Sequence, residues 1–171
     1  MLTALERIAD WLGWLASAAA RILLIGVAAS LILQVTLRYV FNTSLPWPEE
    51  AARYLMIWTV MLAGSVLVKD EQLVRVDFFD GFWPKRMLSI RNALFRLLLV
   101  GLLAILVWKG WENAMFGLRR TAVTLQISFF WIYLSVPVGA ALMMFHMLVL
   151  ALRDLVRGTP DDGPSVLKAE V

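Results

Sequence analysis

Two adjacent carboxylates, Glu49 and Glu50, stand between Arg38 and Arg53 in the stretch Arg38-Tyr-Val-Phe-Asn-Thr-Ser-Leu-Pro-Trp-Pro-Glu-Glu-Ala-Ala-Arg53. Paired carboxylates beside a guanidinium could do acid–base work or hold a cation. No histidine or further acid accompanies them locally, so that chemistry lacks its usual helpers. The structural reading is stronger. Pro48 fits the first position of a helix, and acids in a first turn meet the positive end of the helix dipole. Arg53 follows Glu49 by four residues and Glu50 by three, so either carboxylate can pair with it on one helix face, while Arg38 ends the preceding helix. The expectation is a charged cluster at a membrane boundary that locks the first two helices and a partner subunit in register.

His146, beside Met143 and Met144, invites a haem-ligand reading. A second ligand would have to come from another chain, and a lone histidine at a helix end more often sits at an interface. Pro137 with Gly139 predicts a kink in the last helix, because Pro137 leaves the carbonyl of Tyr133 without its donor. Gly64 and Ser65 permit close helix contact. With no cysteine among 171 residues, disulfides, thiolate zinc sites, iron–sulfur clusters and thiol nucleophiles are excluded. No catalytic, metal or substrate-binding residue and no cofactor is assigned.

These residues must be carried by membrane helices. A chain that is 61% hydrophobic and 17% charged has more apolar surface than one soluble core can hide. Its net charge of +3 collects at the ends of apolar segments, where Lys and Arg reach headgroups, so nucleic-acid binding is not expected. A span needs roughly 20 apolar residues, and four candidates occur, at about 16–40, 51–68, 90–111 and 127–152. The first reads as a retained span rather than a removed signal. The fold class is an all-α integral membrane protein, with a four-helix transmembrane domain over 1–157 and a flexible tail over 158–171. Between the second and third spans, residues 73–84 mix apolar and charged side chains and suit either an amphipathic helix lying in the interface or a loop covering helix ends.

Trp11, Trp14, Trp47, Trp83, Trp108 and Trp111 fall near span ends, as amphipathic rings do, whereas Trp58 and Trp131 are expected to lie deeper and pack between helices. With the N-terminus cytoplasmic, nine basic residues lie inside (Arg7, Lys69, Arg75, Lys85, Arg86, Arg91, Arg153, Arg157, Lys168) against five outside (Arg38, Arg53, Lys109, Arg119, Arg120). That imbalance places both termini inside. No internal repeat and no pair of broken helices, the mark of many solute sites, is evident.

The Arg38–Arg53 stretch also resembles a known family. An Arg-Tyr-x-Phe end to helix one, then Trp-x-Glu-Glu-x-x-Arg, then a Trp and a Gly along helix two are matched by Arg38, Tyr39, Phe41, Trp47, Glu49, Glu50, Arg53, Trp58 and Gly64. Val76-Asp77 and Pro137-Val138-Gly139 extend the match. The chain is thus similar to the small membrane subunit (Q-type) of tripartite ATP-independent periplasmic (TRAP) transporters. It departs from the family habit at Gln72-Leu73, where many members carry a histidine, and at Ser128, where many carry a proline. The resemblance implies a bacterial inner-membrane subunit, not an enzyme, that scaffolds a large transport subunit. A periplasmic solute-binding protein, a transient partner, would deliver an organic acid such as a C4-dicarboxylate, sialic acid or a keto acid for sodium-driven uptake. It also gives Trp47 and Trp58 as interface anchors. The alternative is a haem- or quinone-binding membrane anchor of a respiratory enzyme.

Overall fold

The computed structural model describes the backbone of residues 2–43, 45–70 and 85–157 and the side chains of 3–43, 45–70 and 96–152. The interfacial segment expected between the second and third spans and the tail from 158 lie outside the described residues. Among the described residues five helices follow in order: α1 (Leu2–Tyr39), α2 (Trp47–Lys69), α3 (Lys85–Gly117), α4 (Phe129–Tyr133) and α5 (Ser135–Arg157). Four stretches are long and apolar enough to cross a bilayer: Thr3–Tyr39, Trp47–Lys69, Arg96–Gly117 and Phe129–Leu152. The chain is therefore a four-span helical membrane protein.

α1 begins well before position 16. No proline interrupts Leu2–Leu15, and Ala9, Gly13, Ala16 and Ala20 recur at helical spacing and are all buried, so the helix continues while its small-residue stripe packs. That stripe meets Leu62 of α2, with Trp58 and Val66 alongside. α1 packs chiefly on α2, α2 on α5, and α5 on α3, so the helices stand in the order α1, α2, α5, α3. Of the most apolar window of the fourth span 44% is buried within the chain, against 11% for the third, which sets α5 centrally and α3 on a flank.

Two glycines set the central distances. A Cβ on Gly139 would lie 2.7 Å from Met61 Cβ and 3.1 Å from the Met61 carbonyl oxygen, so α5 touches the backbone of α2 there. On the other side of α5 a Cβ on Gly110 would lie 3.0 Å from Pro137 Cδ. Only Leu134 separates α4 from α5, and it keeps helical angles (φ −60°, ψ −24°) with its N–H on Phe130 O, so the helical path continues through the turn where Pro137 offers the Tyr133 carbonyl no donor.

Candidate functional site

At the end of α2 that carries Trp47, the acids divide their work. Glu49 Oε1 accepts from Arg53 Nη2 at 2.7 Å, one turn on, and Glu49 Oε2 accepts from Gln34 Nε2 of α1 at 3.2 Å. Both partners of the Glu49–Arg53 pair are more than half exposed, so the pair ties α2 to itself and to α1 without a large stabilisation. Glu50 does not pair with Arg53. Tyr54 Oη donates to its Oε1 at 2.6 Å, and its Oε2 accepts the backbone N–H groups of Thr124 and Leu125 at 2.9 and 3.1 Å. Glu50 thereby holds the loop between α3 and α4.

That loop is tightly built. Ala122 N–H donates to Ile127 O at 2.8 Å, Gln126 takes a positive φ of 55°, and Ser128 caps α4 through Phe130 N–H. Ala122 is fully buried, while Val123 at the tip is 85% exposed. Where a proline is common in the resembling family, Ser128 supplies a cap and also donates to Gly117 O at 3.1 Å. Arg38 is exposed and makes no ion pair among the described residues. Trp47, at the start of α2, is also exposed.

Trp58 packs against the α1–α2 core and its Nε1 donates to Trp131 O at 3.0 Å, so it fastens α2 to α4. Trp131 does not share that burial. Its side chain is 61% exposed, while its carbonyl faces α2 and accepts from Trp58.

At the opposite end, sequence reasoning missed a second polar cluster. Lys69 Nζ reaches Asp10 Oδ1 at 2.9 Å by laying its stem over Gly13, whose Cβ would otherwise sit 2.6 Å from Lys69 Cδ. His146 is buried to 1% exposure and its Nε2 meets Ala9 O at 3.2 Å. The helix-end interface reading of His146 is thus corrected: Gly139, Met143, His146 and Leu150 share one face of α5, and that face packs inward. This 3.6-residue periodicity was the available signal. Glu6, Asp10, Lys69 and His146 line a cavity of about 250 Å³ here. No group of three or more His, Cys, Asp or Glu able to hold a metal occurs among the described residues.

Between the two ends, hydroxyls turn back on carbonyls three or four residues earlier: Ser30 to Gly26 O, Thr59 to Leu55 O, Ser65 to Leu62 O and Ser135 to Ile132 O, at 2.7–2.8 Å.

Residues 27–157, from the middle of α1 to the end of α5, match the family described as tripartite ATP-independent periplasmic transporters, DctQ component. The chain belongs to this family. Over 127 residues it is 32% identical to the sialic acid TRAP transporter small permease protein SiaQ of Vibrio cholerae, covering 74% of this chain and 73% of that one. It is 29% identical over 147 residues to the sialic acid TRAP transporter permease protein SiaT of Haemophilus influenzae, where the match covers 84% of this chain but 22% of the relative. It is also 30% identical over 104 residues to the isethionate TRAP transporter permease protein DctMQ of Oleidesulfovibrio alaskensis, covering 60% of this chain and 16% of that relative. The TRAP small-subunit resemblance is borne out. A transporter component, not an enzyme, is what the family describes, and it does not favour the respiratory-anchor alternative.

Proposed function

We propose that this TRAP small subunit is a scaffold in the bacterial inner membrane, with both termini cytoplasmic, bracing a large permease subunit that carries out sodium-driven uptake of an organic acid delivered by a periplasmic binding protein. The observation that carries the reading is that the hydroxyls of Ser30, Thr59, Ser65 and Ser135 all turn back on the backbone. A solute or sodium site needs several oxygens or donors converging at short range, whereas Ser30, Thr59, Ser65 and Ser135 are each spent on a carbonyl three or four residues earlier in the chain. Association with a large subunit is supported by SiaT and DctMQ, in which the matching region is a minor part of a much longer permease chain. Arg38, the Glu49–Arg53 pair and Trp47, together at one end of α1 and α2, are the charges and ring offered to that partner, with Glu50 holding the neighbouring loop in place. The relatives named for sialic acid and for isethionate agree on an organic anion and differ on which.

Affinity purification from native membranes tests this. The chain should bring down one large multi-span protein, and Arg38→Gln should lower its recovery. Recovery of the chain alone under mild extraction would refute the scaffold.

A further inference from the structure

Between Trp11 and Leu37 α1 carries one charged residue, Arg21. The contacts at either end of the helix set its depth. Lys69 crosses Gly13 at one boundary, and Gln34 bonds Glu49 at the other. From Gly13 to Gln34 α1 rises about 32 Å at about 1.5 Å per residue, close to the roughly 30 Å of hydrocarbon. The Cα of Arg21 therefore lies about 12 Å inside the boundary marked by Gly13. Its side chain is exposed, between Ile22 at 70% and Ile25 at 69% exposure.

A guanidinium at that depth is expensive unless an anion meets it. Among the described residues no carboxylate does. Arg21 Nε donates to Ser17 O at 3.2 Å, one turn toward the N-terminus. This bond bends the head toward the nearer boundary and leaves the two terminal nitrogens as a free fork of donors. Trp14 lies seven residues before Arg21, on the same helix face and 62% exposed, at the level where indole rings favour the headgroup region. Beyond Arg21 that face continues through Ile25 and Ile32, 69% and 66% exposed.

Interfacial ring, polar fork and apolar track follow one another along one stripe, with the fork on the headgroup side of the track, as phosphate stands to acyl chain in a phospholipid. We propose that Arg21 binds the phosphate of a phospholipid in the leaflet nearer the N-terminus, with an acyl chain along Ile25 and Ile32. Phosphate suits the paired donors of a guanidinium. A carboxylate on a neighbouring protein helix could neutralise Arg21 at any depth, and would leave both the lean toward Ser17 and the apolar track unaccounted for.

Native mass spectrometry of the full chain, extracted and stripped of lipid, reads this directly. Three probes are added in turn: phosphatidylglycerol, diacylglycerol with the same acyl chains, and inorganic phosphate. Phosphatidylglycerol should be retained, and the other two should not. Arg21→Leu should weaken its retention by about tenfold or more, the scale of losing a charged hydrogen-bonding partner, and Arg21→Lys should keep part of it. Equal retention of diacylglycerol would show that chain packing alone binds, and competition by inorganic phosphate would show a plain anion site. Either result overturns the proposal. So does an Arg21→Leu protein that keeps the lipid but loses the large membrane partner, since a protein carboxylate then meets Arg21. Should Arg21→Leu not fold, Arg21→Gln takes its place, and the wild-type contrast between phosphatidylglycerol and diacylglycerol stands independently.

Discussion

Glu50 and Thr124, separated by 74 residues, are joined by a 2.9 Å hydrogen bond from the Thr124 backbone N–H to Glu50 Oε2. The same oxygen accepts from Leu125 N–H at 3.1 Å, and Tyr54 Oη braces the other oxygen. One carboxylate thus holds two loop amides that no helix or strand would otherwise satisfy.

Removing that carboxylate should loosen the loop before it affects the helices. In Glu50→Ala, exchange of the Thr124 and Leu125 amides should quicken by about tenfold, read by hydrogen-exchange mass spectrometry. Amides within α2 and α5 should keep their protection. Glu50→Gln, which retains one accepting oxygen, should fall between. Unchanged exchange at Thr124 in Glu50→Ala would show that the loop holds itself.

Two helical glycines should respond oppositely to the same substitution. Gly139→Ala pushes a methyl group against Met61 Cβ and its carbonyl, which are backbone-anchored and cannot step aside. Overpacking of this kind costs about 1–3 kcal/mol. A Cβ on Gly101 meets nothing within 4 Å. Gly101→Ala should therefore gain up to about 1 kcal/mol from helix propensity alone. Unfolding in mild detergent, followed by circular dichroism, compares the two. A Gly139→Ala protein as stable as wild type would mean that α2 and α5 stand further apart than described.

The four spans were legible because length and hydropathy alone decide them, and the helix-two motif Trp47-x-Glu49-Glu50-x-x-Arg53 was legible as a pattern. The forward reach of α1 to Leu2 was not. It depends on an alanine and glycine stripe meeting α2, which a hydropathy window does not register. Spacing allowed Arg53 either glutamate. The choice of Glu49 follows from a loop far along the chain claiming Glu50, which no local rule contains. Trp131 is expected inside because it lies within an apolar run, yet its ring is on the exposed side of the helix and only its carbonyl meets α2, through Trp58. His146 was read from its type, when the periodicity it shares with Gly139, Met143 and Leu150 pointed to burial.

The proposed orientation, with both termini cytoplasmic, rests on the distribution of basic residues, and the absence of cysteine makes it simple to measure. Single cysteines replacing Thr43 or Thr121 should react with membrane-impermeant thiol reagents added from the periplasm. Cysteines replacing Gly81 or Gly163 should react only after the membrane is opened. The reverse pattern would invert the molecule and with it the periplasmic placement of Arg38 and Arg53.

The scaffold reading makes a sharper demand on transport itself. Ser30, Thr59, Ser65 and Ser135 each bond a carbonyl three or four residues earlier, and Gln34 is engaged by Glu49 near a boundary. Replacing any of the four hydroxyls by Ala removes a local bond worth about 1 kcal/mol and takes no ligand from a passing solute or ion. Uptake by the complex reconstituted in liposomes should then keep its order of preference among organic acids and its sodium dependence, with rates within about twofold of wild type, equivalent to roughly 0.4 kcal/mol. Omitting the chain altogether should abolish uptake, because the large subunit loses its brace rather than a ligand. Gln34→Ala should resemble the hydroxyl variants, since Glu49 retains Arg53 as a partner. A change in sodium stoichiometry or in solute order on replacing any of the five would put this chain in the permeation path and refute the scaffold role.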